Sequence, residues 1–270
     1  MTFPYERYET LAEPLTVYHP TGEEERAHWI FQTIDKAGEK LSALLQQPMP
    51  ELELLLVDPA DWHLAPRSED ESEEKGKGIG EDVSPLQPYW TDATSPPCIV
   101  IPSAFDPIFG EETPEKFAFM LYHELTLAFL EDDPRPWPED YPLWADEWQI
   151  KFAALWLAQS LNGVQGIVNK DLREEYAEVF EAEEDGKTPV TVRGFDWYED
   201  TADEDYLEYE LLLEQFAADL LHRNDASILP RFLALYRTEQ SVLLSDDVTI
   251  MLGTVLDPGG IDWLESLVYF

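Results

Sequence analysis

Apolar positions recur along this chain with two periods, and the period decides the element. Leu15-Thr16-Val17-Tyr18-His19 alternates as a short strand, closed by Pro20-Thr21-Gly22. Ala27, Ile30, Phe31, Ile34, Ala37, Leu41, Leu44 and Leu45 then repeat at helical spacing. Thr21 is placed to cap that helix, and Glu23, Glu24 and Glu25 crowd its first turn, where the helix dipole favours acids. The helix is predicted to end near Gln47-Pro48. Leu52-Glu53-Leu54-Leu55-Leu56-Val57 and Cys98-Ile99-Val100-Ile101 are short apolar runs of the kind buried strands make. A second helix opens at Thr113-Pro114-Glu115, with Thr113 as cap and proline at the first position. It carries Phe117, Phe119, Met120, Leu121, Leu125, Leu127, Ala128 and Leu130 on nearly every side, the mark of a buried helix.

Further along, helices are predicted from near Leu143, over Leu211–Leu221 and over Ser227–Tyr236, with Ser245-Asp246-Asp247 starting a short last one. Thr188-Pro189-Val190-Thr191-Val192, inside the acidic stretch Glu181–Glu210, reads as a short strand. Residues 68–83 are almost free of apolar positions and read as an exposed acidic loop, and Asp133–Pro142 as a proline-rich one. Strand, helix, strand, strand and then helices predict an α+β fold with a small mixed sheet, a long N-terminal helix and a mainly helical C-terminal part. The expected organisation is one domain over 1–270, in two lobes: sheet-containing 1–132 and mainly helical 133–270.

Charge narrows the partners. Fifty-seven acidic residues against 17 basic ones give a net charge of -40. Such a surface repels phosphate backbones and anionic headgroups, so direct nucleic-acid binding and membrane binding are not expected. A protein or peptide partner, if there is one, is expected to be basic; solubility or adaptation to salt also accounts for the charge. The single cysteine, Cys98, excludes an intramolecular disulfide and sits in an apolar strand, where a structural thiol is expected. The N-terminus has neither a basic nor an apolar leader segment, and no apolar stretch is long enough to span a bilayer, so a cytoplasmic location is expected.

Candidate chemistry is sparse. Of the five histidines, His19, His28, His63, His123 and His222, no two stand at metal-ligand spacing. Gly76-Lys77-Gly78-Ile79-Gly80 lies in the acidic loop and follows no strand, so it is a poor phosphate loop. One constellation remains. His123 and Glu124 lie midway along the buried helix, and Leu143-Trp144-Ala145-Asp146-Glu147-Trp148 opens the next. In a His-Glu-x-x-His zinc helix, two histidines four apart hold the metal and the glutamate activates its water. Here Leu127 stands in the second histidine's place. Tyr206 and Tyr209 are candidates to face a cleft, although a solvated acidic surface with amphipathic tyrosines accounts for them more simply; Trp90 and Trp137 are candidates to line a groove, although core packing accounts for most of the tryptophans.

On His123, Glu124 and Glu147, and on the order of elements over residues 15 to 236, the chain resembles the gluzincin, or peptidase MA-like, superfamily of zinc metallopeptidases. There the glutamate of a phrase such as Trp-x-x-Glu-Gly-x-Ala supplies the third ligand; Glu147 matches it, with Trp148 in place of the glycine. The resemblance implies ligand positions at His123 and Glu147 and a general-base position at Glu124. Leu127 breaks the set, since catalytic zinc uses three protein ligands and an open place for water. The expectation is a catalytically inactive peptidase-like protein serving as a binding or scaffold module. No cofactor is expected, zinc only if another ligand completes the site. Two alternatives stay open: a metal-dependent hydrolase with a non-standard ligand set, and an acidic protein that neutralises a basic partner or mimics nucleic acid.

Overall fold

A computed structural model describes residues 3–11, 14–68, 86–131, 142–182, 186, 188–195, 201, 203–239, 241, 243–256 and 258–270. The loop predicted at 68–83 lies outside them from residue 69 on, as does the proline-rich loop up to residue 141. The chain forms two compact units: Met1–Ser42 with Gln47–Glu131, and Ala43–Gln46 with Asp132–Phe270. The fold is α+β, as the hydrophobic pattern predicts, with a small mixed sheet, a long first helix and a mainly helical C-terminal part.

The first unit is built on five strands: β1 (Glu9–Leu11), β2 (Val17–His19), β3 (Glu53–Val57), β4 (Tyr89–Thr91) and β5 (Cys98–Pro102). Their order is β1-β2-β3-β5-β4, with β2, β3 and β5 parallel and both edges antiparallel. The apolar runs become the centre because a parallel strand is covered on both faces. Leu54, Leu55, Leu56, Val57, Ile99, Val100 and Ile101 are all fully buried. Side chains alternate across the sheet, so Leu55, Val57, Cys98 and Val100 share one face, where they pack with Phe3, Tyr8, Trp62 and Tyr89. The parallel β2-to-β3 step needs a crossover, and helix α1 (Glu24–Leu45) is that crossover. Helix α2 (Pro114–Glu131) lies beside it, with Trp29 against Phe117 at 5.0 Å between ring centroids. Thr113 caps α2 as its sequence predicts, accepting from Lys116 N at 3.2 Å. Thr21 does not cap α1; its hydroxyl donates to Glu9 across the β1 edge at 2.9 Å.

The second unit is helical: α3 (Trp144–Asn162), α4 (Lys170–Glu175), α5 (Asp203–Arg223), α6 (Ile228–Tyr236), α7 (Ser245–Val255) and α8 (Gly260–Ser266). α3 packs along α5, and both are heavily buried. The C-terminal Phe270 wedges its ring between Trp144 (5.2 Å) and Phe216 (4.9 Å). Two predictions fail here. Thr188–Val192 forms no strand: Pro189 has no N–H to give a ladder, and the segment instead leans on the C-terminus through Thr188 N to Val268 O and Val192 N to Tyr269 O. α5 starts eight residues before Leu211, because the acidic run suits the positive end of a helix and Tyr209 buries itself against Phe195 at 4.2 Å, stacked.

Inside this unit lies a set of buried charges. Lys151 on α3 pairs with Glu210 on α5, and Glu214, one turn on, is almost fully buried. Glu214 accepts from Val168 N, Asn169 N (3.3 Å) and Asn169 Nδ2 (2.7 Å), so it ties the loop after α3 to α5. Burial pushes the Glu214 carboxyl above its ordinary value, against the opposing pull of those donors and of Lys151. Burial alone would lower the Lys151 ammonium, but the charges of Glu210, Glu214 and Glu147 outweigh it and hold it above its ordinary value.

Two predictions follow from this cluster. Lys151→Ala strands buried carboxylates without their cation and is expected to cost about 3–5 kcal/mol, measured by urea unfolding. Glu214 binds its proton more tightly folded than unfolded. Its contribution to stability therefore falls as pH rises from the ordinary carboxylate range to the raised folded value. Glu214→Gln, whose amide can pair with a flipped Asn169, removes that dependence; the difference in melting temperature between the two proteins is expected to widen in the variant's favour with pH.

Candidate functional site on the His123-Glu124 helix

α2 presents His123, Glu124 and Leu127 at the sheet's β4 edge. Phe117, Ala118, Leu121, Tyr122, Leu125, Ala128 and Phe129 bury the helix, so its rotation about its own axis is set by packing. Glu124 is itself buried. Its Oε2 accepts from the backbone N–H of Trp90 at 2.8 Å. β4 is an edge strand, and its outward N–H groups would otherwise lack partners in a buried setting. Its Oε1 lies 3.1 Å from Nδ1 of His123. Both carboxylate oxygens are thus engaged, one in positioning the strand and one in orienting the imidazole.

With its proton on Nδ1, His123 donates to Glu124 and keeps a lone pair on Nε2. That nitrogen is buried and has no hydrogen-bond partner among the described residues. An imidazole oriented by a carboxylate at one nitrogen and open at the other has the arrangement of a metal ligand. Among the described residues the other histidines and Leu127 do not complete a site. Leu127, one turn on, offers only methyl groups. His19 is buried with Nδ1 3.0 Å from Pro20 O, and His28, His63 and His222 are exposed. No group of three His, Cys, Asp or Glu suited to a metal occurs among the described residues. The donors found among the described residues fall short of the three protein ligands that catalytic zinc uses.

Glu147 belongs to the second unit, on the first turn of α3, where its charge acts on Lys151 one turn further along. Trp148 beside it is wholly buried, edge-on to Phe232 at 4.9 Å and to Phe152 at 5.9 Å. A glycine there would leave a large hole, so this position is a packing position. Tyr209 is likewise a core residue of the second unit, with Tyr206 partly buried near the same Phe195 ring. Trp90 contributes its backbone to the site; Trp137 lies outside the described residues.

No family model matches the chain, and no curated protein sequence matches it. No helix among the described residues is long and apolar enough to cross a membrane.

Sequence reasoning did not find the Trp90–Glu124 bond, because the signal for β4 is only three residues long and the partner is a main-chain group. Removing the acceptor tests it. Glu124→Ala leaves the Trp90 N–H buried and unpaired and is expected to cost about 1.5–3 kcal/mol. Glu124→Gln, which keeps an amide oxygen for that N–H, is expected to cost less than half as much; urea unfolding of the two variants checks both.

Proposed function

We propose that the protein is a peptidase-like domain without peptidase activity, serving as a binding or scaffold module. The observation that carries this reading is the double engagement of Glu124. A general base must reach the water it deprotonates, and here Oε2 already accepts from Trp90 N and Oε1 lies against His123, so each oxygen has one of its two lone pairs committed to structure. Leu127 supports the same reading, since a histidine at that place is what a second helix-borne ligand requires. The chain's net charge of -40 suits a basic protein or peptide as partner, recognised in a salt-sensitive way. A cytoplasmic setting is part of the proposal.

A second reading rests on one atom. The unpartnered Nε2 of His123 is a ready donor, and a metal-dependent hydrolase with an unusual ligand set would use it. Metal analysis separates the two. Protein purified without chelator is expected to hold far less than one zinc per chain and to leave a mixed peptide library uncleaved, with or without added zinc. One tightly held zinc per chain, lost in His123→Ala, together with hydrolysis lost in Glu124→Gln, would overturn the proposal in favour of the hydrolase.

A further inference from the structure

An open cleft of about 530 Å³ lies in the first unit, beside the cluster of Phe3, Trp62 and Tyr89. Its size falls in the range of small-molecule sites. Phe3, Tyr5 and Leu64 make apolar walls, and His63, Arg67 and Thr94 bring polar groups. None of the described lining residues is acidic, in a chain with 57 acids.

Arg67 is the unusual member. No ion pair or hydrogen bond of its guanidinium is found among the described residues. It is held instead by aromatic faces, with Cζ 4.5 Å from the centroid of Tyr89 and 5.3 Å from that of Trp62. Those two rings are themselves fixed, edge to face at 5.5 Å, and Tyr89 donates its hydroxyl to the carbonyl of Pro66 at 2.8 Å. The residue next to Arg67 is therefore tied down. A cation held over aromatic rings uses none of its N–H donors on them, and leaves those donors for a planar acceptor. Thr94 adds a second donor. Its hydroxyl oxygen is turned away from water and has no partner among the described residues, an arrangement with a cost that a ligand removes. To bond a ligand in the cleft, that hydroxyl must turn about the Cα–Cβ bond. The overall negative charge of the protein is screened beyond roughly 10 Å at 0.1 M salt, so the local cation governs what binds here.

We propose that this cleft binds a small organic carboxylate, with the acid group forked on Arg67 and bonded by Thr94, and the apolar body against Phe3, Tyr5 and Leu64. Neither His123 nor Glu124 lines the cleft, and the proposal does not depend on whether that pair is inert.

Calorimetric titration of the full chain at 0.15 M salt tests it, with benzoate, 2-naphthoate and octanoate, each beside its primary amide. At least one acid is expected to saturate one site per chain and to bind about tenfold more tightly than its amide. Arg67→Gln is expected to remove that preference, weakening the acid about tenfold and leaving the amide unchanged. Thr94→Val, which keeps the shape and loses the donor, is expected to weaken the acid about threefold. It decides the question alone if Arg67→Gln fails to fold. Saturation by none of the acids, equal binding of acid and amide, or full affinity in folded Arg67→Gln or in Thr94→Val would overturn the proposal.

Discussion

The outer strand of a sheet carries N–H groups that point away from the ladder, and at Trp90 that group meets a helix carboxylate. The bond from Trp90 N to Glu124 fixes more than one strand. It ties β4 to α2, whose buried side chains already set where His123 and Leu127 stand. Each oxygen of the residue that the motif would nominate as a base thus carries one contact, the second being His123, whose imidazole is oriented as a consequence.

The second unit uses acids in a related way. Most carboxylates among the described residues reach water, but Glu214 is buried with three donors gathered on it, and Lys151 stands in the core with Glu210. Buried ionic groups of this kind add little net stability compared with apolar packing, yet removing one partner is costly. Their value is in specifying an arrangement. The loop that returns from α3 reaches α5 at the place where its own N–H groups find Glu214, and one turn of slip would leave those groups and the carboxylate stranded. Glu147 adds its charge to the same cluster from the first turn of α3, through Lys151 on the next turn.

Long apolar runs were legible in the sequence, and short or compensated features were not. β3, β5, α1 and α2 announced themselves because Leu54–Val57, Ile99–Ile101 and the Ala27-to-Leu45 series can be buried only as these elements. β1 and β4 did not, since three residues such as Tyr89-Trp90-Thr91 give no period to count. The reading of Thr188–Val192 went astray because β-branched residues suggested a strand where Pro189 and the nearby C-terminus impose another solution. The start of α5 was missed because an acidic run resembles a loop when its tyrosines are counted as surface. For the site, His123 and Glu124 were visible as a pair. Their actual partners were not, because a main-chain N–H bears no letter in the sequence and an acid such as Glu214 looks exposed until the donors around it are seen.

Cys98 gives the sheet one more property. It is the chain's only thiol, it sits on β5 between β3 and β4, and burial pushes its ionisation well above that of a free cysteine. A reagent that attacks thiolates meets neither surface nor charge there until the strands part. The rate at which this sulfur is alkylated thus reads the opening of the sheet's centre, and it does so with a label that the protein already carries at a single position.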